Sequence, residues 1–243
     1  MIRISTFRRG LFTILLAATC LALPAAAAER VLVFGASGKL GAEVVRALAG
    51  AGYAVTAFVR PGSDRARLEG VTVDYATGDL LVAADVAAAF AARPVDAVVD
   101  ASARGSAPDD FYPRAMRNIV AAASAAGRPV VILHGSVGAG ENAQRFPQAP
   151  FGRMAATLAA KGEAEDLLRA SGLPWVIIRN GILAPDATPA TGKAVLSDDE
   201  SLMRTVTRAD LARLTVGCLA TDRCRGRTWH AVDASLPFPE RYR

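Results

Sequence analysis

From residue 30 onward the chain alternates between two hydrophobic rhythms. Short continuous apolar runs read as buried strands. Between them, apolar residues three and four positions apart read as helices. Val31, Leu32, Val33 and Phe34 form the first run, and Leu40, Val44, Val45, Leu48 and Ala49 the first helical stripe. Strands are predicted next over 53–59, after the Gly50-Ala51-Gly52 break, and over 71–75. An alanine-rich helix follows over 82–90, then a fourth strand over 95–101. A helix over 111–126 ends at Gly127 and Pro129 and leads to a fifth strand over 130–134. A long helix over 152–171 closes at Gly172 and Pro174 before a sixth strand over 175–178. The last helix is expected over 209–219 and the last strand over 228–232. This alternation implies an α/β fold, a doubly wound parallel sheet with right-handed crossovers and helices on both faces.

Two stretches, 135–150 and 180–206, are too long for ordinary connections. Both follow strand C-terminal ends, where open α/β sheets bind ligands, so they are the expected walls of a substrate pocket.

The first 28 residues follow another pattern. Arg3, Arg8 and Arg9 precede an apolar, uncharged run of 13 residues over 11–23, then Pro24 and four alanines. That is the layout of an export signal, and the run is short of the roughly 20 residues of a membrane span. Arg8-Arg9-Gly10-Leu11-Phe12 also resembles a twin-arginine signal, which would carry a folded protein outward. The expected organisation is a signal over 1–28, cleaved or kept as an anchor, and one domain over 29–243. The expected location is periplasmic or secreted.

The charge balance excludes one class of partner. The net +5 of the 243 residues includes the three arginines of the leader. Without them 25 basic side chains face 23 acidic ones, which makes no case for a nucleic-acid surface. The expected partner is a small-molecule substrate, and the protein itself a monomer or dimer. Cys20 lies in the leader. Cys218 and Cys224 are spaced to close a small loop in an oxidising compartment, or to remain two thiols.

The strongest chemical signal is the turn between the first strand and first helix, GASGKLG at 35–41. Gly35 permits the turn, Gly38 lets a pyrophosphate approach the backbone, and Gly41 lets the helix pack on the sheet. Unpaired amides and the helix dipole favour an anion at that helix start, which predicts dinucleotide binding by Gly35, Ser37, Gly38, Lys39, Leu40 and Gly41. The second strand ends in Arg60 where an NAD site would carry an acid for the ribose hydroxyls. A guanidinium can instead pair with a 2′-phosphate, with Lys39 and Ser63 in support, so NADP is the expected cofactor. Asp79, before Leu80, either accepts the adenine amino hydrogen or caps the following helix. Ala101 and Ser102, closing the fourth strand, complete the expected cofactor contacts. His134, before a glycine turn, reads as packed rather than catalytic.

Taken in order, GASGKLG, the Arg60 turn, Gly78-Asp79-Leu80, His134-Gly135-Ser136, Lys161 with Glu165, WVIIRNGIL at 175–183 and TRADLA at 207–212 resemble the atypical short-chain dehydrogenases/reductases. The similarity spans about residues 30–232. It points to the NAD(P)-binding branch that includes flavin and biliverdin reductases and nitrogen-metabolite repression regulators. The resemblance implies a Rossmann fold and a reductive site of Ser, Tyr and Lys. Ser136 and Lys161 match the Ser and Lys, but the Tyr position holds Thr157, whose aliphatic hydroxyl is far too weak an acid. Tyr112 is a minor candidate replacement. Lys161 would then bind the nicotinamide ribose, or merely pair with Glu165 one turn on. An NADP(H)-dependent oxidoreductase passing hydride to a flavin-, quinone- or tetrapyrrole-like acceptor tolerates Thr157, because solvent can protonate such acceptors. A non-catalytic NADP-binding redox sensor or assembly factor is the alternative.

Overall fold

The computed structural model of the chain describes residues 29–186 and 188–242. The predicted leader and Cys20 lie outside those residues. Strands β1 (Arg30–Phe34), β2 (Ala54–Val59), β3 (Asp74–Thr77), β4 (Ala97–Asp100), β5 (Val130–Ser136), β6 (Trp175–Asn180) and β10 (Arg227–Val232) pair in parallel. Helices α1 (Lys39–Gly50), α2 (Ala83–Ala91), α3 (Phe111–Ala125), α4 (Ala155–Ala170) and α5 (Arg208–Leu219) connect them. The sheet order is β3-β2-β1-β4-β5-β6-β10-β8, with β8 (Val195–Ser197) antiparallel at one edge. The sheet is therefore doubly wound and mostly parallel.

Side-chain alternation assigns the two faces of the sheet. Val31 and Val33 of β1 pack towards α1 and α5, among Val44, Leu48 and Leu211. Leu32 and Phe34 point the other way, into Phe90 of α2, Met116 and Ile119 of α3, and Leu168 of α4. Burial on both faces is why these strands read as unbroken apolar runs. Strand order reverses between β1 and β4, where Phe34 lies beside Asp100. A crevice opens beyond that point, at the C-terminal strand ends.

Several boundaries differ from the sequence expectation; α4, for example, begins at Ala155 and β6 runs on to Asn180. The third strand begins at Asp74 because Val71 and Val73 pack against the α1-side core instead of pairing with β2. The fifth strand continues through Gly135 and Ser136, paired to Arg179 and Asn180. The stretch 180–206 holds three short strands: β7 (Ile182–Leu183) pairs with β9 (Thr205–Val206), and β8 pairs with β10. Each of these partners is distant in sequence, so no local periodicity announces them. Cys218, in the last turn of α5, is disulfide-bonded to Cys224, with their Cα atoms 5.4 Å apart. Among the described residues no helix is long and apolar enough to cross a membrane.

The TRADLA segment works as a structural lock. Thr207 caps α5 by accepting from the Asp210 amide at 3.0 Å. The fully buried Asp210 carboxylate accepts from the Thr191 amide (2.8 Å), the Gly192 amide (3.0 Å) and the Thr207 hydroxyl (2.8 Å). Burial pushes this carboxyl up, but the hydrogen bonds outweigh it and hold it below the usual range. Its stabilisation is therefore full above the unfolded carboxyl value of about 3.9 and is lost as pH falls through the lower folded value. Asp210→Asn is expected to cost about 2–3 kcal/mol in urea unfolding at neutral pH. The gap to wild type should narrow in acid.

Candidate active site

The glycine turn builds one end of the crevice from backbone alone. Gly35 adopts a left-handed φ of 71°. A Cβ there would lie 2.6 Å from Ser102 Cα, so β1 and the end of β4 can approach only through glycine. A Cβ on Gly41 would lie 2.0 Å from the Gly35 carbonyl oxygen, which makes this residue a packing requirement behind the crevice. Gly38 begins α1 with no side-chain cap, and the first turn carries no acidic residue. The amides of that turn thus face the crevice with no acidic side chain in the turn itself.

A cavity of about 510 Å³ runs from this turn in two directions. Towards the sheet edge it is bounded by Arg60 and Ser63 after β2 and by Asp79 and Leu80 after β3. Arg60 is exposed, and among the described residues no carboxylate pairs with it. Asp79 does not cap α2, whose N-cap is Val82; its Oδ1 accepts from the Leu81 amide at 2.9 Å. The capping alternative is thereby removed. At the mouth of the crevice Asp186 bridges two cations, Lys39 Nζ at 2.5 Å and Arg208 at 3.0 Å. Both cations line the cavity.

In the other direction the walls are Ala101 and Ser102 after β4, Tyr112 of α3, Ser136 of β5, Lys161 of α4, and Gly181 and Leu183 beyond β6. Every residue expected to touch a cofactor except Gly41 therefore lines one continuous space. The two stretches expected to wall a substrate pocket contribute unequally. Gly135, Ser136, Gly181 and Leu183 line the crevice, whereas 139–145 turns away to line a separate polar cavity beside Arg169 and Arg179.

The polar groups at this end have distinct states. His134 is buried between the Asn180 side-chain amide (3.1 Å) and Thr215 Oγ1 (3.0 Å), and burial lowers its pKa to about 4. It is a satisfied, neutral core imidazole. Ser136 Oγ donates to the Val137 carbonyl at 3.1 Å. Lys161 Nζ donates to the His134 carbonyl at 3.3 Å and lies 4.6 Å from the Tyr112 ring centroid. The expected alternative pairing of Lys161 with Glu165 is absent. Glu165 is fully buried and accepts from Arg179 (2.8 Å) and Arg169 (2.9 Å). Thr157 is half-buried near the start of α4 and does not line the crevice. Tyr112, the minor candidate for the missing phenol, does line the crevice, whereas Asp100, Arg208 and Met154 were not among the expected site residues. Of these, only Asp100 carried a sequence signal, an acid ending an otherwise apolar strand.

These observations fit a dinucleotide. The cradle is one that side chains would fill, the helix start is free of acid, and buried Ser102 Oγ has no hydrogen-bond partner beside it. Fold and site together define a nucleotide-binding protein of the atypical short-chain dehydrogenase/reductase class. The profile of a family described as NAD(P)H-binding matches residues 35–222, and the chain belongs to that family. Its structure is similar to ChuY, an anaerobillin reductase from Escherichia coli O157:H7, at 27% identity and a TM-score of 0.74, covering 86% of this chain and 100% of that one. It is also similar to a protein described as an NAD-dependent epimerase/dehydratase from Bacillus halodurans, at 28% identity and a TM-score of 0.72, covering 86% and 96% of the two chains. A 49-residue stretch is 55% identical to sterol demethylase protein B of Methylococcus capsulatus. That match spans 20% of this chain and only 15% of that protein.

Asp186 places a negative charge where cofactor phosphates would compete for Lys39 and Arg208. Asp186→Asn is expected to tighten NADP binding by about two- to fivefold in calorimetry, the scale of an exposed ion pair. Unchanged or weaker binding would count against phosphate contact by these cations.

Proposed function

We propose that the protein is an NADP(H)-dependent reductase that passes hydride to a flat, conjugated acceptor of the tetrapyrrole, flavin or quinone type. The observation that carries this reading is the single crevice running from the unpaired Arg60 guanidinium, past the glycine turn, to Lys161. When bound, the nicotinamide supplies the hydride. Amides at the start of α1 would hold the diphosphate, and Arg60 with Ser63 the 2′-phosphate. Asp79 Oδ2, left free by its local turn, is available to the adenine amino group. Lys161 would reach the nicotinamide ribose. Leu183 and Met154 would shield the acceptor from water, and Ser136 would orient a carbonyl on it. A conjugated acceptor is favoured because no phenol stands at position 157. Similarity to the anaerobillin reductase supports the tetrapyrrole class.

The absent phenol equally favours a second reading, an NADP-binding redox sensor or assembly factor without turnover. Screening NADPH oxidation against biliverdin, flavin mononucleotide and quinones separates the two. Turnover with one of them supports the reductase, and tight NADP binding without turnover supports the sensor. Arg60→Glu is expected to weaken NADP binding by about tenfold or more, while NAD binding holds or improves. Equal NADP affinity in the variant would overturn the assignment of Arg60.

Export to the periplasm is part of the same proposal. The Cys218–Cys224 bridge suits an oxidising compartment. Replacing Arg8 and Arg9 by Lys is expected to stop export, as read by fractionation. Unchanged export would exclude a twin-arginine route.

A further inference from the structure

The floor of the crevice holds a cluster around Lys161 whose arrangement a ribose contact alone does not explain. Lys161 meets the face of the Tyr112 ring, 4.6 Å from its centroid, rather than the phenol oxygen. That oxygen accepts from the Arg104 amide at 3.3 Å. Beside them lies a small cavity of about 10 Å³, lined by Asp100, Ser102, Tyr112, His134 and Lys161 among others. Asp100 is buried, and its Oδ1 accepts from the Ser102 amide at 2.9 Å. A space of that size with several polar walls is right for one water molecule.

We propose that Lys161 itself delivers the proton that accompanies hydride transfer, and that the Tyr112 ring face and the Asp100 carboxylate form the seat holding its ammonium there. The inference rests on the reductase reading. The acceptor gains hydride at a ring or methine carbon from a dihydronicotinamide dinucleotide, which leaves oxidised. It gains a proton at its conjugated nitrogen or oxygen. The N–H bond of Lys161 breaks, its electron pair stays on the amine, and the new proton bond forms on the acceptor. The amine is then reprotonated from solvent through the water-sized cavity.

The surroundings of Lys161 make it a readier proton donor than an ordinary lysine. Burial pushes its pKa down, while Asp100 from β4 and Glu165 from α4 pull it back up. Glu165 is already held by Arg179 and Arg169, so Asp100 has the larger pull. Burial pushes the Asp100 carboxyl up, while the Ser102 hydrogen bonds and Lys161 draw it back. From β5, His134 is neutral and contributes only its carbonyl. Tyr112 of α3 has its own pKa raised, first by burial and also by Asp100, so the phenol keeps its proton and serves through its ring. Arg104 is directed at Asp109.

The chain has only three lysines, Lys39, Lys161 and Lys193, and the other two are exposed. Competitive acetylation of the cofactor-free protein across pH, read by mass spectrometry, therefore reports Lys161 against two internal references. Lys161 is expected to lose its proton at lower pH than Lys193. Asp100→Asn and Tyr112→Leu should lower that point further, and Tyr112→Phe should leave it in place. With NADPH and biliverdin, turnover of wild type and Tyr112→Phe should fall as pH rises through the Lys161 titration. Lys161→Arg, whose guanidinium keeps its proton at every pH, should lose turnover across the whole range. If Lys161 titrates with Lys193, the seat is wrong whatever the turnover. Loss of turnover in Tyr112→Phe with unchanged labelling makes the phenol the donor and overturns the proposal. Absence of turnover with all three acceptor classes, despite the expected labelling, rejects the reductase reading and the proton delivery with it. The seat would then stand as a structural feature.

Discussion

Backbone crowding at the head of α1 is the constraint on which the molecule depends. Three segments meet there: the end of β1, the start of α1 and the end of β4. Side chains at Gly35 or Gly41 would collide with backbone at 2.6 and 2.0 Å. This closeness brings Ser102 and Asp100 against the cradle and leaves the first amides of α1 facing outward. The reversal of strand order at β1 and β4 opens the crevice above them. A sheet of the same apolar composition without these glycines would pack its helix farther out and lose both the amide cluster and its depth.

A second constraint sets the opposite wall. Glu165 is wholly buried, and a Cβ on Gly135 would come within 2.3 Å of its Oε1. Arg179 reaches it from β6, and Arg179 also holds Glu200 at 3.0 Å in the segment before β9. Removing one partner would leave a buried charge uncompensated, which costs several kcal/mol. The pair thus fixes the rotation of α4, and with it the position of Lys161 one turn earlier. Asn142 joins the same network, accepting from the Gly138 amide and donating to the Glu200 carbonyl. The stretch after β5, which reads as a loop, is therefore anchored.

The functional picture joins these two walls. One supplies an anion cradle made of backbone. The other presents a buried ammonium supported by an aromatic face and a carboxylate. Thr157, at the position where the resemblance implies a phenol, stands aside from the crevice, and on the proposed reading proton delivery falls to Lys161 of α4. The neutral His134 takes no part, because Thr215 and Asn180 saturate it in the core.

What was legible in the sequence is what local physics controls. Apolar runs of strand length, helical stripes and glycines at fixed spacing act within one turn or one strand. They determined the α/β alternation, the glycine turn and the crevice-lining residues from Gly35 to Ser102. Even Arg60 was readable, since it directly follows a strand. Contacts between distant segments were decided only by the folded chain. Lys161 leaves its helical neighbour Glu165 for the Tyr112 ring because Arg179, from another strand, has already taken that carboxylate. Asp186 reaches Lys39, β8 joins β10, and Asp210 ties down Thr191 for the same reason. Which groups share a buried volume depends on strand order and on which charges desolvation forces together, and no periodicity along the chain encodes either.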